Sequence, residues 1–476
     1  MDRLHPLDSS FLHLEDDITH MHIGSCWILA GPPPPYEDVL ALVESKLDRM
    51  PRYRQRVRFV PGAVGPPVWV DDPHFNLSYH LRHSALPPPG GRDELSALMG
   101  RLMSQPLDRA RPLWELWMVE SLEGGRWALI TKVHHCMVDG VAGIDLATAL
   151  LDADPEAPLP TIEPWQPDRE PTDVELFASS LGAAFGDPGA LLRTVRRGPR
   201  RLFRETVDTL TGLGSMGRRL TPTATSSIEG PIGPHRRWTW AETTLDDIGD
   251  IRRALGGTVN DVVLTAVAGG FRRLLVSRGE PVDGETVRTL VPVSLRPPDD
   301  HSGGNRVGSI IAELPVGIED PVERLDAVRH QLDQLKADHQ VDASQLLVGL
   351  AEMTPPMLWA RSLEQTTAAQ RFAPQQSVHT VTTNVPGPRV PLYAVGRELE
   401  AYLPYVPIGQ GARIGVAILS YRRNMALGLT GDWETTADID LLRVGIEAEL
   451  AILHTRATEP GEGPAEAPAT EEPASV

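Results

Sequence analysis

The sequence predicts an α/β protein in two domains, on three observations. At 476 residues the chain is longer than one hydrophobic core usually organises. Strand-like and helix-like pieces alternate up to about Pro160, and they alternate again after about residue 236. Between these parts lies a stretch rich in Pro, Gly, Ser, Thr and Arg, which reads as a crossover carrying one or two helices. The division expected is a first domain over 1–160, a linker with basic helices over 161–235, a second domain over 236–456 and a disordered acidic tail over 457–476.

Taken in order, Arg126 to Val133 puts Trp127, Leu129 and Thr131 on one face and Ala128, Ile130 and Lys132 on the other, the period of a strand. Asp139 to Leu151 then reads as a helix whose apolar side holds Ile144, Leu146, Ala147, Leu150 and Leu151. Thr258 to Ser277 reads as a buried helix through Val263, Leu264, Val267, Phe271, Leu274 and Leu275. Strands are expected over Thr286 to Leu295, Val307 to Val316, Val378 to Val385, Ile414 to Tyr421 and Met425 to Thr430. Helices are expected over Pro321 to Ala337, Ala343 to Trp359 and Asp438 to Thr455.

The composition narrows the functional classes. A net charge of −19 argues against general nucleic-acid binding, which needs a basic footprint. Part of that charge belongs to the tail from Glu459 onward. Arg193, Arg196, Arg197, Arg200, Arg201 and Arg204 interleave with Leu191, Leu192, Val195, Leu202 and Phe203. Such a stretch can lie on an anionic lipid surface, or it is a solvated basic helix pair broken at Gly198-Pro199. No run approaches the roughly 18 apolar residues of a membrane span. The N-terminus lacks a signal-peptide core, and two cysteines, Cys26 and Cys136, suit a reducing cytosol. The expected location is cytoplasmic, with peripheral contact to the inner membrane face or to lipid inclusions as a further option.

One segment carries chemistry: His134-His135-Cys136-Met137-Val138-Asp139-Gly140, at the junction between the expected strand and helix. A histidine that deprotonates a hydroxyl needs a free ring nitrogen in a cleft and neighbours that fix the ring. Asp139, four residues past His135, can hold the junction in shape through an Arg or through backbone donors, and Gly140 lets the backbone turn or pack closely. A Cys-His nucleophile using Cys136 is disfavoured, because adjacent residues point in different directions. No zinc-type spacing of His and Cys appears. A single such histidine would more often be a packed core residue; the seven-residue pattern at a strand end favours the functional reading.

HHxxxDG recurs in thioester-dependent acyltransferases built like chloramphenicol acetyltransferase and in peptide-synthetase condensation domains. The flanking blocks are more selective. Pro106 through Pro112-Leu113-Trp114-Glu115 resembles the PLW segment of the bacterial wax ester synthase/diacylglycerol acyltransferase family, and Asn260-Asp261-Val262-Val263-Leu264 resembles its NDVV segment. Pro292 to Arg296 with Gly304-Asn305, Thr383 to Pro388, and the run from Pro404 through Ser420-Tyr421 to Asp432 resemble its later blocks. The opening, Pro6-Leu7-Asp8 with Phe11, Glu15 and Met21 to Gly24, fits as well, so the resemblance runs in order from Pro6 to Ala451. One departure is visible: Ser226-Ser227-Ile228-Glu229-Gly230 has Glu229 where relatives commonly carry an amide.

The resemblance implies two similar α/β domains of the chloramphenicol-acetyltransferase type, meeting along a tunnel with the HHxxxDG loop at its middle. It implies transfer of a long-chain acyl group from acyl-CoA, a co-substrate, to a lipid alcohol, with no cofactor and no metal. Diacylglycerol is the first expected acceptor and a fatty alcohol the second. His135 would be the general base, His134 would orient the loop or pack, and Asp139 and Gly140 would support it. Asn260 would donate near the developing oxyanion or cap a helix beginning at Asp261. Asp261 would pair with a base or favour the helix's positive end. Trp114 would line the tunnel or belong to the core. Two other readings stay open: condensation on a carrier-bound acyl group, and a non-catalytic role at a lipid-droplet surface.

Overall fold

The computed structural model describes residues 2–137, 142–160, 162, 164–185, 226–294, 307–337, 358, 361–365 and 377–459. The helix expected over Ala343 to Trp359, apart from Leu358, and most of the acidic tail lie outside these residues, and so does the basic stretch Arg193–Arg204.

In the N-terminal half the strands are β1 (Asp2–Arg3), β2 (His22–Leu29), β3 (Gln55–Arg58), β4 (Val68–Asp71), β5 (Leu81–Ala85), β6 (Trp114–Leu122) and β7 (Arg126–His134). The helices are α1 (Pro6–Leu14), α2 (Tyr36–Lys46), α3 (Leu77–His80), α4 (Arg92–Met103), α5 (Ala142–Leu150) and α6 (Asp173–Phe185). After Ser226 come β8 (Glu229–Gly230), β9 (Arg236–Thr244), β10 (Val287–Ser294), β11 (Val307–Leu314), β12 (Thr380–Pro386), β13 (Tyr393–Ala394), β14 (Arg397–Tyr405), β15 (Gly411–Ala412), β16 (Ile414–Tyr421) and β17 (Asn424–Asp432). They alternate with α7 (Leu245–Leu255), α8 (Val259–Ser277), α9 (Pro321–Ala337) and α10 (Ile439–Thr458).

Two mixed sheets of six strands form the centre, in the orders β13-β14-β2-β7-β6-β5 and β11-β10-β12-β16-β17-β9. The first sheet is therefore not built from the N-terminal half alone. β14 pairs antiparallel with β2, from Tyr405 opposite Gly24 to Leu399 opposite Leu29. A cut near residue 235 would not separate the sheets cleanly. A smaller sheet, β1-β4-β3, lies beside the first. α6 packs on it through Leu176, which joins Val60, Val68 and Val70 in one apolar cluster, so the start of the expected linker is part of the first half's structure.

The alternation along β7 explains the layering. Trp127, Leu129 and Val133 face a core shared with α2 and α5. Ala128 and Ile130 face the other way, into a core shared with α4 and with Trp238, Trp240, Leu403 and Ala426. This second layer joins the two sheets. Contact there is close: a Cβ on Gly428 of β17 would stand 1.8 Å from the Pro404 carbonyl oxygen of β14. The second sheet is covered by α8 and α10, which approach so closely that a Cβ on Gly445 would fall 2.8 Å from the Gly270 Cα. α8 is buried along most of its length because valine, leucine, alanine and glycine fill both its sides.

Candidate functional site

The motif sits where β7 runs out. The strand ends at His134 and passes into a single 3-10 turn, His135–Met137. His134 lies opposite His22 of β2 and is fully buried. Its Nδ1 accepts the Cys136 N–H at 3.1 Å, so the ring hydrogen sits on Nε2. That nitrogen faces the Glu15 carboxylate at 3.5 Å. His134 thus holds the turn from inside.

His135 points elsewhere. Its ring stacks on Phe11 of α1, with centroids 3.8 Å and planes 19° apart. Its backbone N–H donates to the Met21 carbonyl at 2.8 Å. The residue is half-buried, and its Nδ1 is buried with no hydrogen-bond partner. Burial pushes the imidazole down to about 4. The ring is therefore unprotonated at neutral pH, the form a base must have. Cys136 is buried, and burial first, then the charges of Asp8 and Glu15, raise its thiol well above the ordinary range. A thiol kept protonated in this way is not a nucleophile.

Burial also pushes His80 and His379 down to about 4. Unfolded histidines titrate near 6.5 and would bind protons that these folded rings refuse. Their contribution to stability is present above about pH 6.5 and is lost as pH falls towards 4. The urea midpoint is therefore expected to fall steadily between pH 7 and pH 5. A midpoint flat over that window would contradict the buried, neutral state of these rings.

Glu15 is the acidic member of the site. Burial alone would raise its carboxyl, but His134 and Arg109 hold it down to about 2. Arg109 donates Nε at 3.0 Å and Nη2 at 2.6 Å to the same oxygen, and Nη2 also reaches the Leu12 carbonyl. The other carboxylate oxygen accepts the Met21 N–H at 3.2 Å. Phe11, Glu15, Met21 and Arg109 lie within the family-like blocks of the sequence, where no local signal gives any of them a role. Asp139 and Gly140, expected as supports, lie outside the described residues.

The remaining expected residues divide. Trp114 opens β6 inside the core. It donates Nε1 to the Tyr53 carbonyl at 2.8 Å and stacks on His80 with centroids 4.6 Å apart. It also borders a small apolar cavity with Val43, Leu47, Val133, Leu146 and Leu150. Asn260 does not cap α8. Thr258 does, accepting the Asp261 N–H at 3.2 Å, while Asp261 returns its Oδ2 to the Thr258 N–H at 2.7 Å. A hydroxyl at the N-cap and a carboxylate three residues on close both orphan donors, which leaves Asn260 within the first turn. Asp261 accordingly serves the helix terminus. Asn260 Oδ1 instead accepts from Asn384 Nδ2 at 3.3 Å, so the NDVV-like and TNVPGP-like blocks meet at this amide pair. Among the described residues no hydrogen bond joins Asn260 to His134 or His135. Glu229 is buried: one oxygen accepts the Ser226 N–H, and the other lies 3.6 Å from His379 Nε2.

Comparisons with known proteins identify the family. Residues 4–263 match the wax ester synthase/diacylglycerol acyltransferase catalytic domain, and residues 303–454 match the C-terminal domain of the same family. A probable diacylglycerol O-acyltransferase of Mycobacterium tuberculosis strain H37Rv is 36% identical over 95% of this chain and 96% of its own length. A second such protein from that strain, described as putative, is 29% identical over 95% and 91%. The wax ester synthase/diacylglycerol acyltransferase of Marinobacter aquaeolei VT8 superposes with a TM-score of 0.68 at 26% identity, covering 96% of this chain and all of that one. The first condensation domain of the calcium-dependent antibiotic synthetase shares the fold, with a TM-score of 0.59 at 17% identity and 97% coverage of each chain. With both domains matched in order and the relatives aligned end to end, the chain belongs to the wax ester synthase/diacylglycerol acyltransferase family and is an acyltransferase.

Proposed function

We propose that the protein transfers a long-chain fatty acyl group from acyl-CoA to a lipid alcohol, diacylglycerol first and a fatty alcohol second, with His135 as general base. The observation that carries this reading is the His135 turn at the end of β7, its ring stacked on Phe11, in a chain similar over 95% of its length to a probable diacylglycerol O-acyltransferase.

The acceptor hydroxyl gives its proton to His135 as its oxygen attacks the thioester carbonyl. The tetrahedral intermediate collapses, the carbon–sulfur bond breaks, and the proton passes from the imidazolium to the departing thiolate. The products are an ester and free CoA. A ring whose basicity burial has lowered is a weak base for an alcohol, so the proton moves as the carbon–oxygen bond forms. The thioester is already activated, and neither an acyl-enzyme nor a cofactor is required. General base catalysis supplies roughly 10²–10⁴-fold, and positioning with oxyanion stabilisation must supply the rest. In this proposal the oxyanion donor is the Asn260 NH₂, whose carbonyl oxygen is taken up by Asn384.

The purified protein, given palmitoyl-CoA with dioleoylglycerol and hexadecanol together, is expected to release CoA and to form triacylglycerol in excess of wax ester. Product masses check this. Absence of any ester from either acceptor would remove the proposal.

A further inference from the structure

The part of the site that no motif names is the anchor of the catalytic turn. His135 is held by three connections, and all lead to one residue. Its own N–H binds the Met21 carbonyl, and the N–H of that same Met21 residue binds Glu15 Oε1. On the other side of the ring, the Cys136 N–H binds His134 Nδ1, whose Nε2 faces Glu15 Oε2. A third link runs through α1: the Glu15 N–H caps the helix on the Phe11 carbonyl, and Phe11 carries the ring on which His135 stacks. Glu15 itself cannot wander, because Arg109 grips Oε2 with two nitrogens and the Glu15 side chain is only 5% exposed.

We propose that Glu15 is the positioning residue for His135, and that the PLW-like block contributes through Arg109. The inference rests on the proposed role of His135. Glu15 does not touch substrate. It holds the Met21 N–H that precedes the His135 anchor and faces the His134 Nε2, and so restrains the backbone on both sides of His135. A buried hydrogen-bonded carboxylate has the stiffness this needs, since each contact restrains a different direction of movement. A catalytic group displaced by about 1 Å loses on the order of 10²-fold in rate.

The test compares Glu15→Ala with Glu15→Gln, using palmitoyl-CoA and dioleoylglycerol. The alanine variant loses the carboxylate's contacts with Met21, Arg109 and His134, and its kcat is expected to fall about 30–100-fold, with KM for both substrates within about twofold. The glutamine variant keeps one oxygen for Met21 or His134 and is expected to recover a large part of that kcat, although it loses the ion pair with Arg109. A second readout does not need turnover: carbethoxylation of His135, followed by peptide mass, is expected to be several-fold faster in Glu15→Ala than in the wild type. Wild-type kcat in Glu15→Ala, or a loss carried by KM, would overturn the positioning role. So would alanine and glutamine variants that lose kcat only in proportion to their loss of thermal midpoint. If the wild type forms no ester at all, the proposed reaction fails; unchanged His135 reactivity in Glu15→Ala would then be needed to sink the anchor as well.

Discussion

His135→Ala is expected to lower kcat for acyl transfer by roughly 10²–10⁴-fold while leaving KM for palmitoyl-CoA within about twofold. The prediction follows from where the ring stands. It is half-buried, stacks on one aromatic face, and its buried nitrogen has no hydrogen-bond partner, so removing it breaks little besides the chemistry. Folding should be nearly untouched, which thermal unfolding of the variant would show. Activity within a few-fold of wild type would end the general-base mechanism, whatever the product.

The largest effect on stability is expected at Trp114. Replacing it by alanine removes a ring that is 3% exposed, a stack on His80 and a hydrogen bond to Tyr53. A buried tryptophan truncated to alanine costs about 3–5 kcal/mol, because the neighbours close only part of the space. Here an apolar cavity already borders the ring, so collapse has a head start and the lower half of that range is expected. Trp114→Phe keeps the stack and loses the hydrogen bond, and should cost about half as much or less. Urea unfolding at unchanged slope measures both. If Trp114→Ala lost less than about 1 kcal/mol and instead raised KM for the acyl donor, the ring would be a substrate wall and not core.

The sequence made some of this legible and hid the rest for identifiable reasons. β7, the turn after it and α8 were readable because their signals are local. Alternation places Trp127 against Ala128, and a 19-residue helix shows its apolar faces within its own span. His135 was readable because seven residues carry the pattern. β14 was missed, and its role is set by β2, a partner from the far end of the chain. No window of sequence contains that pairing. Glu15 escaped for the same reason. Its meaning lies in Arg109, 94 residues on, and in His134 beyond that. Expectation had assigned the work of a carboxylate holding the junction through an arginine to Asp139; among the described residues Glu15 and Arg109 form such a pair. Asn260 was half legible: the helix start was right to within two residues, but Thr258 competes better for the cap because its hydroxyl and Asp261 satisfy each other.

The loan of β14 to the first sheet has a consequence for how the protein comes into being. While the ribosome is still making the second half, β2 has only β7 beside it and offers an unpaired strand edge to its surroundings. The turn bearing His135 hangs from that unfinished framework, so a nascent chain released before Tyr405 would be both sticky and inert. Synthesis must pass the point where the late strand docks, and a split gene would yield a working enzyme only if its second product delivered β14 to the first.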